Sequence, residues 1–326
     1  MEISPAVADI RPTPWTGRFD GDGEQHRRWW QVVTPYTPCV ESPCAESPGA
    51  SEAGPRPAVV VGFRSDEGVR RNKGRTGAAA APVAIRQALA PLAFHLDRDV
   101  FDAGDVLVED GSLEAGQERA GRVISELLDA GNLTVLFGGG HETAFASYLG
   151  VAGSDAVRRG KRLGVLNLDA HFDLRDEPVP SSGTPFLQMA RAEAAASREL
   201  KYAVVGISEP NNTRALFDTA HRLGVKYLLD EDCSVEAVRE FVGQFLDTVD
   251  VLYLTIDLDV LPASVAPGVS APAAYGVPLP VISAVCRQLA ASGKLLHLDV
   301  AELNPGFDID SRTAKVAARL VNTLLG

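Results

Sequence analysis

Six short apolar runs, rich in valine and leucine, constrain the fold of this 326-residue chain more than any other feature. They lie at Ala58–Phe63, Leu133–Phe137, Leu163–Leu168, Tyr202–Gly206, Val251–Ile256 and Leu295–Leu298. Segments with helical periodicity separate them: Pro82–Ala90, Leu113–Ala130 and residues 185–196, 212–223, 234–248, 280–292 and 312–325. Strands that are apolar throughout are typical of parallel sheets covered by helices on both faces. The pattern therefore predicts an α/β fold, with a single three-layer α/β/α domain and a mostly parallel sheet.

The chain before the first run has a different composition. Residues 34–57 are rich in Pro, Ser, Ala and Glu, and such a segment cannot bury a core. A short arm with Trp15, Trp29 and Trp30 precedes it, and we expect these aromatic residues to dock on the body. We predict an N-terminal arm and flexible segment over residues 1–57 and one main domain over residues 58–326.

Charge and cysteine usage exclude several classes of partner. The net charge of −12 argues against nucleic acid and anionic membrane surfaces, because both attract a basic face. No apolar run approaches the ~20 residues of a membrane span, and the N-terminus lacks the pattern of a signal peptide. The four cysteines are too few and too irregularly spaced for a disulfide framework, and Cys39 and Cys44 are interpreted as surface thiols. We expect a cytoplasmic protein.

The residues that follow the apolar runs are unusual, because several are carboxylates or imidazoles. In open α/β sheets, ligand sites form outside the carboxyl ends of the strands. Four runs are followed there by chemically active residues, namely His141 behind three glycines, then Asp169, His171 and Asp173, then Asp257 and Asp259, and finally Asp299 and Glu302. These side chains are expected to meet at one edge of the sheet.

Their spacing indicates a metal site. In extended chain, residues two apart face the same way, so Asp169, His171 and Asp173 can converge on one point. Clustered carboxylates raise one another's pKa values and cannot all stay ionised without cations between them. Four carboxylates and two imidazoles suit two divalent ions, and the oxygen-rich mixture favours Mn²⁺ over structural zinc. A glycine turn or a helix cap explains one such residue, but not the set.

The motifs GGGHE, NLDAHFD, TIDLDVLPASVAPGVSAP and LDVAELNP resemble those of the ureohydrolase (arginase) superfamily, and they stand in its order. The resemblance covers most of the chain after residue 58. It implies a catalytic domain with an eight-stranded parallel sheet, two Mn²⁺ ions per subunit and a homo-oligomer. Carried over by motif, Asp169 and Asp257 bridge the ions, and the metal ligands are His141, Asp169, His171, Asp173, Asp257 and Asp259. Glu302 matches the glutamate that holds the cationic end of the substrate.

Two segments resemble the formimidoylglutamase branch in particular. They are Val61–Arg86 and SSGTPF at residues 181–186, where Ser182 stands in place of the histidine of agmatinase-like enzymes. The resemblance implies hydrolysis of N-formimidoyl-L-glutamate to L-glutamate and formamide, a step of histidine degradation. Asp173 is then both a metal ligand and a candidate proton relay, with a water held by Ser182 as the rival donor.

Two other functions stay open at this point. The first is a ureohydrolase that releases urea from a guanidino compound, against which the missing histidine counts. The second is a metal-free α/β protein that binds a ligand or partner, with the glycines before His141 forming a phosphate turn. Asp169, Asp173, Asp257 and Asp259 would repel such a phosphate.

A substrate with two carboxylates needs cationic partners. The loop after the first strand carries Arg70, Arg71, Lys73 and Arg75, and the forked donors of arginine suit a carboxylate. Asn72, Asn212 and Ser182 are further candidates for substrate binding. The alternative is a solvated basic loop, or one that pairs with a neighbouring subunit.

Overall fold

The computed structural model describes residues 8–38 and 54–326. One sheet of nine strands, all paired in parallel, forms its centre, in the order β1-β3-β2-β4-β9-β8-β5-β6-β7. The strands are β1 Thr34–Pro35, β2 Ala58–Arg64, β3 Val100–Leu107, β4 Leu133–Phe137, β5 Leu163–Leu168, β6 Lys201–Ile207, β7 Lys226–Leu229, β8 Val251–Asp257 and β9 Leu295–Ala301.

Helices fill the connections between the strands. They are α1 Trp29–Val32, α2 Glu67–Arg71, α3 Ala81–Leu89, α4 Leu113–Asp129, α5 Thr143–Gly153, α6 Asp155–Arg158, α7 Pro185–Ala195, α8 Arg214–Arg222, α9 Val235–Leu246, α10 Leu279–Ala291 and α11 Arg312–Leu325. Short 3₁₀ turns occur at Glu24–His26, Ala78–Ala80, Glu209–Asn211, Asp230–Asp232 and Leu258–Val260.

The helices lie in two layers, one on each face of the sheet. Helices α3, α9, α10 and α11 pack over one face, and α4, α5 and α7 pack over the other. Strand β2 shows why its run is apolar throughout: Val60 packs towards Ile85 of α3, whereas Val59 and Val61 pack towards Ile124 of α4. Each fully buried aliphatic side chain of this kind contributes about 1.5–3 kcal/mol. The predicted three-layer α/β/α fold with a parallel sheet is confirmed.

The sheet has nine strands rather than the eight that the resemblance implied. The extra strand is β1, the first two residues of the segment 34–57, which pairs in parallel with β3 at the edge of the sheet. The expectation of a flexible segment was therefore wrong for Thr34–Pro35, because backbone hydrogen bonds hold them on the sheet. The described part of the arm before it is also tied to the body. Trp29 is fully buried and its Nε1 donates to Oδ1 of Asn322 at 3.0 Å, and Nε1 of Trp15 donates to Oδ2 of Asp102 at 2.8 Å.

The spatial order of the strands in the sheet explains where the site forms. Strands β4, β9, β8 and β5 are neighbours at its centre, and all four point the same way. Their carboxyl ends therefore meet at one edge, which gathers the polar residues that follow them. Within the described ranges, no helix is long and apolar enough to cross a membrane. Cys233 and Cys286 are buried free thiols, whereas Cys39 and Cys44 lie outside the described residues.

Candidate metal centre

The three glycines after β4 bring His141 to the edge of the sheet. A Cβ atom on Gly139 would lie 1.5 Å from the carbonyl oxygen of Ser65, so only glycine permits this approach. The backbone N–H of Gly138 donates to the Val300 carbonyl, and the Gly139 carbonyl accepts from the N–H of Glu302, both at 2.8 Å. These bonds join the end of β4 to the end of β9.

Three carboxylates converge on the ring of His141. Its Nδ1 lies 3.1 Å from Oδ2 of Asp169, 2.9 Å from Oδ2 of Asp173 and 3.2 Å from Oδ2 of Asp257. The ligand atoms of these four residues all lie within 4.8 Å of one another, as a metal ion requires.

A second group shares Asp169 with the first. Nδ1 of His171 lies 3.0 Å from Oδ2 of Asp259 and 3.5 Å from Oδ1 of Asp169, and the three ligand atoms lie within 4.8 Å of one another. Asp169 thus belongs to both groups, whereas Asp257 belongs to the first group alone. The structure brings together all six residues that the motifs indicated as ligands, and the bridging role of Asp257 stays a prediction.

The residues converge through turns rather than through extended strand. Strand β5 ends at Leu168, and Asp173 has a left-handed backbone with φ of 48°. Strand β8 ends at Asp257, and the Leu258–Val260 turn places the next carboxylate, with the N–H of Asp259 donating to Oδ1 of Asp257 at 2.9 Å. We expected Asp169, His171 and Asp173 to converge because residues two apart in extended chain face the same way. That geometry was wrong, because the chain turns after β5.

The hydrogen bonds around His141 test whether a cation fits. Thr255 Oγ1 donates to Oδ1 of Asp299 at 2.6 Å, so it can only accept from Nε2 of His141, which lies 3.0 Å away. With its proton on Nε2, His141 can present the Nδ1 lone pair to a cation that three carboxylate oxygens, at 2.9–3.2 Å from Nδ1, also face. Without a cation, burial lowers the pKa of His141, but hydrogen bonds with Asp169, Asp173 and Asp257 outweigh burial and raise that pKa well above its usual value. In both states the three carboxylates face a positive charge at Nδ1.

The pKa values reflect the same surplus of negative charge. Burial, followed by the charges of Asp259 and Asp169, raises the pKa of Asp257 well above its usual value. Burial and Asp169 likewise raise the pKa of Asp173. Burial opposes ionisation of Asp169 too, but its hydrogen bonds with His141 and His171 outweigh burial and lower its pKa. The donor set fits a binuclear metal site.

Glu302 is the buried carboxylate beside the cluster. Its Oε1 accepts from the backbone N–H of His141 at 2.8 Å, and its Oε2 has no hydrogen-bond partner in the described part of the chain. Burial, followed by the negative charge of Glu142, raises the pKa of Glu302 to about 8. The backbone of Glu302 is left-handed, with φ of 67°, a strained conformation of the kind found at functional sites. An unpartnered buried oxygen suits a cationic ligand.

A cavity of about 310 Å³ opens above these groups. Asn72, Lys73, Arg75, Ser182 and Asn212 line it together with Glu302 and most of the metal cluster. Oγ of Ser182 accepts from Nδ2 of Asn72 at 3.0 Å. The Arg75 guanidinium donates to the carbonyls of Val269 and Ser270 and lies 3.9 Å from the Phe307 ring.

Three of the predicted substrate residues have other contacts. Arg70 pairs with Glu67, and Arg71 pairs with Glu67 and Glu114, so neither lines the cavity. Asn212 lines it, but its amide is engaged with the turn at residues 170–172, where its Nδ2 donates to the Ala170 carbonyl at 2.9 Å.

Arg175 lines the cavity and was missed from the sequence. Its side chain is about half exposed, and its nearest carboxylate is Glu177 at 3.9 Å. No local signal identified it, because the chain turns after β5 and the alternation of polar residues at 169, 171 and 173 does not continue as extended strand. Glu142 and Thr255 were also missed, since nothing in their motifs distinguishes a buried supporting group from a packing residue. Asp299 was expected at this edge of the sheet, but without a role.

Comparison with known proteins gives a consistent result. Residues 56–326 match the arginase family. A protein of Nocardia farcinica named formimidoylglutamase is 58% identical over 317 residues, which cover 97% of each chain. A formimidoylglutamase of Rhodococcus opacus is 56% identical over 319 residues, 97% of this chain and 96% of that one.

Solved structures share the fold. The formimidoylglutamase of Bacillus subtilis superposes with a TM-score of 0.78 at 18% identity, covering 97% of this chain and 95% of that one. The formiminoglutamase of Trypanosoma cruzi, solved with Mn²⁺, gives a TM-score of 0.75 at 23% identity over 83% of this chain and 92% of that one. The family match covers the whole sheet from β2 to β9, with all of the clustered residues, and the chain belongs to the arginase family.

Proposed function

We propose that this protein is a dinuclear-manganese hydrolase that converts N-formimidoyl-L-glutamate and water to L-glutamate and formamide. The observation that carries the proposal is the opposite charge at the two ends of one cavity. Relatives at 46–58% identity share the name formimidoylglutamase, which supports the same substrate.

The inner end of the cavity is acidic. We call Asp173, Asp257, Asp259 and Glu302 the acidic floor; Asp257, Asp259 and Glu302 are at most 5% exposed. The outer end carries Lys73, Arg75 and Arg175, which we call the basic rim, and Lys73 and Arg175 are exposed. Formimidoylglutamate has a cationic amidine on its α-nitrogen, an α-carboxylate on the adjacent carbon and a side-chain carboxylate at its far end. It therefore matches the polarity of the cavity, whereas agmatine has no carboxylate for the rim.

The six clustered side chains are proposed as the metal ligands. His141, Asp173 and Asp257 would hold one ion, His171 and Asp259 the other, and Asp169 both, with Asp257 as a second bridge. Two divalent ions, when bound, supply a water of lowered pKa and polarise the group that it attacks. The oxygen-rich ligand set favours manganese, and the manganese in the Trypanosoma cruzi enzyme agrees with this choice.

Glu302 is proposed to orient the substrate. Its free Oε2 accepts from an amidinium N–H, and its Oε1 stays fixed by the N–H of His141. A charge-assisted hydrogen bond of this kind holds the amidine carbon in one position above the acidic floor, which supplies proximity. The positive amidinium also offsets the burial of the Glu302 carboxylate.

The departing glutamate nitrogen needs a proton as the C–N bond breaks. Asp173 is proposed to relay to this nitrogen the proton that the attacking water releases, because its carboxylate lines the cavity beside the other ligands. Ser182 provides the alternative, since its Oγ is oriented by the amide of Asn72 and can hold a water in the cavity.

One assay tests the function directly. Protein supplied with Mn²⁺ is offered formimidoylglutamate, agmatine, arginine and guanidinobutyrate, and the products glutamate, formamide and urea are measured separately. We expect glutamate and formamide in equal amounts from the first substrate and no urea from the others. Urea release from a guanidino compound, without turnover of formimidoylglutamate, would replace this proposal by a ureohydrolase.

We also propose a domain division, a cellular location and an assembly for the protein. The chain is proposed to divide into the arm and flexible segment (1–57) and the catalytic domain (58–326), to work in the cytoplasm and to assemble as a homo-oligomer. The exposed apolar side chains of Tyr275, Phe307 and Ile309 support the assembly. Light scattering of the purified protein measures its mass.

A further inference from the structure

Glu142 is a buried carboxylate that the proposed reaction does not use. It follows His141, and only 1% of it is exposed. Its Oε1 accepts from Oγ of Ser65 at 2.7 Å and from the backbone N–H of Gly68 at 3.0 Å. Its Oε2 has no hydrogen-bond partner among the residues described. A buried carboxylate with no cationic partner is costly, so its retention needs a reason.

Two glycines enclose the Glu142 side chain. A Cβ atom on Gly68 would lie 2.5 Å from Oε2 of Glu142, and one on Gly140 would lie 2.2 Å from the same atom. The carboxylate is therefore clamped between the backbone after β4 and the backbone of α2. The Gly140 N–H adds a third connection, because it donates to the Ser65 carbonyl at 3.1 Å.

The segment held by Glu142 leads directly to the basic rim. Helix α2 contains Gly68 and ends at Arg71, and the next residues, Asn72–Arg75, line the cavity. The Gly74 N–H donates to the Val69 carbonyl at 2.8 Å, and Lys73 has a left-handed backbone with φ of 61°. The turn is thus built on α2, and a shift of α2 moves Lys73 and Arg75 relative to the acidic floor.

We propose that Glu142 is a positioning residue that fixes the distance between the metal-bearing end of β4 and the basic rim. The inference rests on the proposed function, because it assigns the rim to the carboxylates of the substrate. Glu142 acts through α2 and touches neither substrate nor metal. Its useful feature is Oε1 as an acceptor for two donors, rather than its negative charge.

The test compares Glu142→Ala with Glu142→Gln on two substrates. One is formimidoylglutamate, and the other is N-butylformamidine, which has the amidine but no carboxylates. For Glu142→Ala we expect KM for formimidoylglutamate to rise roughly tenfold, the effect of losing one hydrogen bond to a charged group. Both variants remove the negative charge that contributes to the raised pKa of Glu302, so kcat, metal content and kcat/KM for N-butylformamidine should be the same in Glu142→Ala and Glu142→Gln. Glu142→Gln keeps the Oε1 acceptor and should restore KM.

Two further variants keep the test decisive. Ser65→Ala removes one donor to Glu142 and leaves the sequence at the end of β4 unchanged. It should also raise KM, which keeps the inference testable if Glu142→Ala fails to fold. Glu193→Ala is the matched control, because Glu193 is also a buried carboxylate, held by Tyr148 and Arg198 away from the cavity. It should change stability alone.

Several results would overturn the inference. They are an equal loss on both substrates, a loss of metal from Glu142→Ala, or a Glu142→Gln variant as impaired as Glu142→Ala. The failure is distinguishable from a failure of the proposed function, since wild-type turnover of formimidoylglutamate is measured in the same assay.

Discussion

Asp299 is joined to the ring of His141 by one intervening hydroxyl group. Oδ1 of Asp299 accepts from Oγ1 of Thr255 at 2.6 Å, and the same Oγ1 lies 3.0 Å from Nε2 of His141. Asp299 is fully buried and also accepts from Ser147 at 2.6 Å and Tyr253 at 2.5 Å. Because the Thr255 hydroxyl donates its hydrogen to Asp299, its oxygen can only accept from Nε2 of His141. Nε2 of His141 therefore carries a proton.

Removal of the Thr255 hydroxyl should weaken metal binding. Thr255→Val keeps the shape of the side chain but leaves Nε2 of His141 without an acceptor, so the ring loses its orientation. We expect the metal affinity to fall roughly 10–100-fold, as for other supporting contacts of metal ligands. Metal titration by calorimetry measures the change, with Thr255→Ser as the control that keeps the hydroxyl. Wild-type affinity in Thr255→Val would contradict the role of this chain of hydrogen bonds.

Replacement of Asp257 tests the proposed bridge. Asp257→Asn removes one negative charge from a cluster whose like charges oppose one another, so the metal-free protein should fold at least as well as wild type. The variant should bind less metal, and its turnover should fall below detection. Circular dichroism and metal analysis separate the two effects. Unchanged turnover would refute the bridging role.

Glu302 should affect the reaction without affecting the metal. Glu302→Ala removes Oε2, the acceptor proposed for the amidinium. The other oxygen of Glu302, Oε1, accepts from the backbone N–H of His141 and is not a proposed metal ligand, so the metal should stay bound. We expect kcat/KM for formimidoylglutamate to fall roughly 10–100-fold, the effect of a lost hydrogen bond between charged groups. Metal per chain should stay at the wild-type value. A variant that loses metal instead would identify Glu302 as a ligand.

Arg175 should determine the preference for a carboxylate-bearing substrate. Arg175→Ala removes one cation of the basic rim, and KM for formimidoylglutamate should rise roughly tenfold as a charged hydrogen bond is lost. Turnover of N-butylformamidine should not change. Arg191→Ala is the control, because Arg191 is an exposed arginine that pairs with Asp176 outside the cavity. Equal KM values for both arginine variants would remove Arg175 from substrate recognition.

The sequence predicted the central strands but missed those with an irregular pattern. Strand β3 carries Asp102, Gly104 and Asp105, so its apolar run is interrupted. Both aspartates are buried because Arg86 of α3 pairs with them, and these contacts span 16 and 19 residues, which no local pattern reveals. Strand β7 was missed because it is short and only partly buried.

The site shows the same division. The meeting of the residues at the strand ends was predictable, because apolar runs reveal the strands and parallel neighbouring strands bring their carboxyl ends together. The sequence did not predict which cations would face the cavity, because this depends on the backbone conformation of short turns. One signal was overlooked: Glu67 stands three and four residues before Arg70 and Arg71, the spacing of helical ion pairs.

A buried histidine away from the metal cluster should lower the stability of the protein in acid. His297 in β9 is fully buried; its Nδ1 lies 2.7 Å from Oγ1 of Thr134, and its Nε2 has no partner in the ranges that the structure describes. Burial lowers the pKa of His297 to about 3, against 6.5 for a free histidine. Between these values the unfolded chain binds a proton that the folded chain does not, so stability rises with pH and is lost as pH falls below 6.5.

The size of the effect follows from that difference. The loss amounts to about 1.4 kcal/mol per pH unit, or about 2 kcal/mol at pH 5 relative to pH 7.5. In His297→Asn, whose amide can still bond to Thr134, this part of the loss should disappear. Urea unfolding of the metal-free chain at both pH values measures it, with the exposed His95→Asn as the control for removal of a histidine. If wild type and His297→Asn lose the same free energy of unfolding between pH 7.5 and pH 5, the folded protein binds a proton at His297, and the prediction is wrong.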